Sequence, residues 1–244
     1  MKTEHYNPNS AGQLNSHATD LDLINKTVDQ YNQQMLNHPL DKIFNSSGIP
    51  RGLLNEYASL QYIDSVLWLP MLALMKDRVK SPRLKKTLTE NILCEAGAKH
   101  TSHITLGMQF IKSLGISPYN GDSAHYRNSA SHPVEMMNAV SGMSEAQIAS
   151  WALVAEAIVP ALFQLALPAY ERVDGVDLIY LSEHITVDSD EHAAWMRESV
   201  AQLLSEGVSL DEILVGIHLG ARTALCIPDV LFAKFLRGGY ESHA

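Results

Sequence analysis

In the stretch Ile179–Met196, IYLSEHITVDSDEHAAWM, three metal-type side chains stand at strict four-residue steps: His184, Asp188 and His192. On an α-helix each such step advances about 400°, so the three drift only about 40° per step and share one face. Two imidazoles and a carboxylate on one helical stripe form a half-site for a hard-to-borderline metal such as iron, manganese or zinc. Asp190 and Glu191 beside them would instead suit a solvated polar face. Against that, Leu181, Ile185, Ala193 and Trp195 give the segment the character of a buried one. Burying two histidines and an aspartate without a partner is costly.

The rest of the chain supplies the surroundings such a stripe needs. Its 244 residues, 46% of them hydrophobic, suffice for one well-cored domain or at most two small ones. A net charge of −9, with no basic run longer than the Arg83–Lys86 patch, argues against a nucleic-acid binder. Cys94 and Cys226 lie far apart within apolar helical patterns, as buried thiols of a reducing compartment do. The polar N-terminus lacks the apolar region of a signal peptide. The most apolar segment, Trp151–Leu167, is broken by Glu156, Pro160 and Gln164, so no membrane span is expected and a cytoplasmic protein is.

Residues 1–18, rich in Asn, Ser and His, read as a flexible arm, and residues 19–244 as a single domain. Thr19 or Asp20 caps a first helix to about Asn37, and a second runs from Pro50 to Val79 with a kink at Pro70. Ser81–Pro82 opens a third, carried through Glu95 and His103 to Ser113. Residues 116–132 form the one long irregular loop, and loops of that length are often functional. A short helix at Pro133–Val140 follows. Ser144-x-x-Gln147 is a capping box for a helix to about Glu171. The His/Asp/His stripe sits on a helix of about Val176–Leu204, and Ser209 caps the last, from Leu210 to about Leu236. No strand-like alternation or internal repeat occurs, so the fold class is all-α.

Two carboxylates stand out against apolar helices. Glu156, in SWALVAEAIVPALF, has no helical face on which its charge could rest in water. It needs a partner, a raised pKa or a metal. Glu95 is similar, between Cys94 and Ala96. Downstream of it come His100 and His103. Eight residues of ideal helix leave His103 about 80° off the Glu95 face. One extra residue absorbed near Gly97 would make the step equivalent to seven and align the pair. The same distortion also brings His100 into range, so geometry leaves both histidines open. A bulge or break between Ala96 and Ser102 is expected, with His103 inward and His100 at the rim.

The order Glu95…His103, Glu156, His184-x3-Asp188-x3-His192 resembles the haem-oxygenase-like di-iron oxidases, close to the CADD-like proteins, on the helical fold shared with TenA and PqqC. His38–Pro39, the GIPRGLLNEYASLQYIDSVLWLP helix, Glu90–Asn91…Glu95–Ala96–Gly97 and Ser102–His103…Ser113–Leu114–Gly115 match as well. The resemblance covers about residues 20–235. It implies about seven to eight helices with the metal site in the core. Glu95, His103, Glu156, His184, Asp188 and His192 would be ligands, with Glu95 and Glu156 as the catalytic carboxylates. The cofactors implied are two Fe(II) ions, with O2 as co-substrate. Relatives that cut an aminobenzoate from their own tyrosine use a lysine beyond the third ligand. The corresponding VPALFQLALPAYERV has none, so that reaction is not expected. Nor are there the two Glu-x-x-His pairs of ferritin-like proteins.

The activity implied is O2-dependent oxidation of a small amine, amino-acid-like or fatty-acid-like substrate, by N-oxygenation, oxidative C–C cleavage or nitrile formation. Arg127, Arg172 and Arg222 are candidate clamps for a substrate carboxylate. The partner expected is a small molecule, with neither nucleic acid nor membrane, and a homodimer is allowed for. The competing reading is a metal-independent small-molecule-binding or TenA/PqqC-like protein on the same scaffold.

Overall fold

The computed structural model describes residues 9–98, 100–117, 136–187 and 191–240. Among them ten helices and no strand occur, against the seven to eight expected. They are α1 (Asn9–Leu36), α2 (Leu40–Phe44), α3 (Arg51–Arg78), α4 (Pro82–Glu95), α5 (His103–Ser113), α6 (136–142), α7 (Glu145–Tyr170), α8 (Ile179–Val187), α9 (Ala193–Ser205) and α10 (Leu210–Leu236). Part of the surplus arises where an expected helix divides: the segment from Pro82 to Ser113 forms α4 and α5. The described parts of the His/Asp/His segment are α8 and α9.

The first helix starts earlier than the expected Thr19 or Asp20. Residues 9–18, read as part of a flexible arm, are helical and continuous with α1. The later turns of α1 bury Ile24, Val28 and Met35. Once those turns are docked, adding residues to the helix is far easier than nucleating one. The Asp41–Phe44 turn also closes into a short helix.

Helix α7 is the axis of the fold. It packs most extensively against α10, and also against α9, α1, α8, α2 and α3. Its composition explains this. A helix apolar on every side has no face to give to water and must be surrounded. Ser144 accepts from the Gln147 N–H while the Gln147 side chain accepts from the Ser144 N–H, so the expected capping box starts it. Ser209 caps α10 through the Glu212 N–H. Close approach of α7 and α10 depends on Gly216, where a Cβ would stand 2.6 Å from the Gln147 carbonyl oxygen.

Three helices, α3, α7 and α10, are long and apolar enough to cross a membrane by length and composition. The polar interruptions in the sequence therefore do not set the limit expected of them. In α7 72% of the apolar window is buried against other helices, so packing accounts for its composition.

Candidate functional site

Glu95 ends α4, and its carboxylate reaches the interior because the chain turns sharply after it. Ala98 N–H bonds to Leu93 O and Gly97 N–H to Cys94 O, the paired bonds of a glycine-terminated helix. Gly97 has φ +88°, a conformation that glycine alone adopts without strain. Ser102 then caps α5 by accepting from the Thr105 N–H. The expected irregularity between Ala96 and Ser102 is thus a full break, not a π-type turn within one helix. It places His103 at the first position of α5, buried, and leaves His100 exposed.

Five of the six expected ligand residues come together. Glu95, His103, Glu156, His184 and His192 are all between 0% and 6% exposed. His103 Nδ1 lies 2.8 Å from Glu95 Oε2, and His192 Nδ1 lies 3.8 Å from Glu95 Oε1 and 3.4 Å from Glu156 Oε2. The rings of His103 and His184 are 4.2 Å apart between centroids, and those of His103 and His192 6.5 Å. Asp188 lies outside the described residues. His192 sits in a short π-type turn, residues 191–192, at the entrance to α9. Around His192 the backbone is therefore not the regular α-helix that an even 40° drift assumes. His184 lies on α8, and His192 directly precedes α9.

Two groups that the sequence reading passed over hold this cluster in place. Asn91, one turn before Glu95 on α4 and fully buried, donates from Nδ2 to Glu156 Oε1 at 2.5 Å. The four-residue step from Asn91 to Glu95 was the available signal. Tyr180 is the second: its backbone oxygen lies 2.8 Å from His184 Nδ1. A carbonyl only accepts, so Nδ1 carries the hydrogen and the lone pair is on Nε2. Burial, with His103 and His192 also opposing a positive charge, holds the His184 pKa well below its ordinary value. The imidazole is neutral, as a metal ligand requires.

Three residues of the cluster, Glu95, Glu156 and His184, line a cavity of about 110 Å³ whose walls come from α3, α7, α8 and α10 with Met136. Its walls are mainly apolar, among them Trp68, Met71, Trp151 and Phe163. Asp64, another residue the sequence reading missed, lines it from α3. Burial pushes the Asp64 carboxyl up to about 7. Its signature was that of Glu156, a lone acid in an apolar run (YIDSVLW). Among the described residues no Lys or Arg lines the cavity. This corrects the expectation of a clamp at Arg172 or Arg222. Arg172 turns away to the Phe44 carbonyl, Arg222 is exposed, and Arg127 lies outside the described residues.

The chemistry of the donor set fits iron: neutral imidazoles and carboxylates in a buried, cation-free pocket favour a borderline metal ion. Among the described residues, however, no three of these side chains are arranged around one point that could hold an ion.

A family model described as iron-containing redox enzyme, of haem-oxygenase type, matches residues 55–224. That span runs from α3 into α10 and includes every expected ligand. Among solved structures, a TenA homologue from Pyrococcus furiosus superposes with a TM-score of 0.61 at 13% identity, over 86% of this chain and 98% of that one. At that identity the likeness is one of fold. No curated protein matches the chain. With its all-helical architecture and a family model spanning more than half its length, the chain belongs to the haem-oxygenase-like family of iron-containing redox enzymes.

Proposed function

We propose that the chain is a non-haem di-iron oxygenase or oxidase of the cytoplasm. Residues 19–244 would form one catalytic domain, and Glu95, His103, Glu156, His184, Asp188 and His192 would hold two ferrous ions. The co-substrate is O2, and the organic substrate is a small amine, amino-acid-like or fatty-acid-like molecule. One observation carries the reading. Two carboxylates and three imidazoles, all buried, come together from α4, α5, α7, α8 and the start of α9, and Glu95, Glu156 and His184 among them line a mainly apolar cavity.

When bound, ferrous iron supplies the electrons and the open positions that O2 reduction needs. The chain's own residues do the rest. Tyr180 fixes His184 in the tautomer that offers Nε2, the outer-sphere role a backbone carbonyl plays for a metal-binding histidine. Asn91 holds Glu156 by one oxygen and leaves the other beside His192. Glu95 and Glu156 both line the cavity and are the catalytic carboxylates, closest to a substrate seated there. Trp68, Trp151 and Phe163 keep that substrate out of bulk water, which strengthens every polar contact made at the site.

Anaerobic titration of purified protein with Fe(II), followed by O2 uptake in the presence of candidate substrates, tests the proposal. It predicts two ferrous ions per chain and O2 consumption that disappears in His184→Ala and Glu156→Ala. Folded protein that takes up no iron would contradict it. The metal-independent reading draws on the lack of a closed three-donor arrangement among the described residues. Small-molecule binding that persists without iron uptake would favour that reading.

A further inference from the structure

The cavity lining carries a second group of polar side chains, which the iron chemistry does not use. Gln61, Asp64 and Ser65 occupy one turn of α3 and all line the cavity, with Thr223 contributed by α10. Ser65 is engaged, with its hydroxyl 2.6 Å from the Tyr180 hydroxyl. Asp64 is not: among the described residues no hydrogen bond or salt bridge reaches its carboxylate. Gln61 is 4% exposed, and its Nε2 has no hydrogen-bond partner. The buried amide donor of Gln61, left unsatisfied beside the half-buried Asp64 carboxylate, is costly unless a ligand completes it.

We propose that Asp64 anchors the ammonium group of the substrate, which is a primary amine on an apolar body with no carboxylate of its own. The inference rests on the reading of this cavity as the substrate site. Charge selects the amine. The described lining contains three carboxylates, Asp64, Glu95 and Glu156, and neither Lys nor Arg. Iron held by Glu95 and Glu156 would offset those two, so Asp64 is the carboxylate of the described lining that stays uncompensated, and a ligand carboxylate seated beside it would meet like charge. An ammonium would form a charge-assisted hydrogen bond with Asp64, the stronger class of such bonds. The walls select the body. The apolar lining includes Leu67, Trp68, Met71, Trp151, Val159 and Phe163, suited to an alkyl or aryl chain. A neutral oxygen beside the amine would take the Gln61 N–H. Of the substrate types compatible with the family, this arrangement singles out simple amines over fatty acids and free amino acids.

The test uses the full chain without added iron, with hexylamine, hexanol and hexanoate as probes. The fluorescence of Trp68 and Trp151, whose rings lie 5.8 Å apart at the cavity, serves as readout. Hexylamine should bind on the order of tenfold tighter than hexanol, and hexanoate more weakly than either. In Asp64→Asn the amine preference should vanish while hexanol binding stays the same. That variant replaces a buried acid by its neutral isostere, and circular dichroism should show it folded. Tighter binding of hexanoate than of hexylamine would overturn the proposal, as would an amine preference that survives in Asp64→Asn. Iron uptake measured on the same proteins separates the two claims. Iron binding without amine preference sinks only the anchor, and amine preference without iron binding sinks only the di-iron reading.

Discussion

Asn91 and Asp64 are single residues whose roles are set by partners, or by a lack of partners, far away in sequence. Asn91 holds Glu156 across a separation of 65 residues. Asn91→Ala should leave Glu156 free to rotate and weaken ferrous affinity about 10–100-fold, measured by competition with a chelator. Unchanged affinity would remove Asn91 from the site. Asp64 provides a pH prediction. Its folded-state pKa of about 7 stands above the ordinary 3.8, so the folded form holds the extra proton between those values. Its stabilising effect is complete below about pH 4 and is lost as pH rises through 7. Asp64→Asn should therefore unfold at higher urea than the parent at pH 8, by on the order of 1–2 kcal/mol, with a smaller difference at pH 5. Equal differences at both pH values would contradict it. Glu156 was legible in the sequence because every neighbour on its helix is apolar. Asp64 carries the same mark more faintly, since Gln61 and Ser65 dilute the pattern. The Asn91 pairing left only the four-residue step to Glu95 as a local signature, with nothing to point to Glu156.

Among the elements, the break between α4 and α5 matters most to the site. The 80° phase error between Glu95 and His103 announced that a regular helix could not serve both. The form of the departure was harder to read. A π-type turn and a complete break solve the phase problem equally well, and the choice fell to Gly97 at the end of α4 and the Ser102 cap of α5. A Cβ at Gly97 would stand 2.7 Å from Ser102 N and 2.9 Å from His100 O, in addition to the strain of its positive φ. Gly97→Ala should cost about 1–3 kcal/mol and displace His103, lowering both the midpoint of thermal unfolding and ferrous affinity. A variant as stable as the parent would show that the turn is not held as described. The π-type turn at residues 191–192 was illegible for a different reason. The four-residue periodicity there is that of a regular helix, and only packing decides whether the helix stays regular. Gly216 tests the fit of α7 on α10. A Cβ there would also meet the Ser150 hydroxyl, so Gly216→Ala should force the two helices apart and cost about 1–3 kcal/mol, read by urea denaturation.

Across the whole molecule, the all-α class and the central position of the most apolar helix followed from composition and periodicity, because a helix with no polar face has only one place to go. The cavity did not. It is assembled from residues of six helices, and no single helix reveals which of its apolar side chains will leave a gap. The same convergence makes iron a cross-link. Five helical segments meet at the cluster, so an ion bound there stabilises the folded chain by mass action, about 2.7 kcal/mol at a hundredfold excess over the dissociation constant. Thermal unfolding should shift upward with Fe(II) in the parent and much less in His192→Ala. The most direct measurement is anomalous diffraction at the iron absorption edge, from crystals grown anaerobically with Fe(II). The account predicts two iron peaks at the cluster, within bonding distance of Glu95, His103, Glu156, His184 and His192. Iron bound elsewhere, or a cluster without iron in crystals of iron-saturated protein, would contradict it.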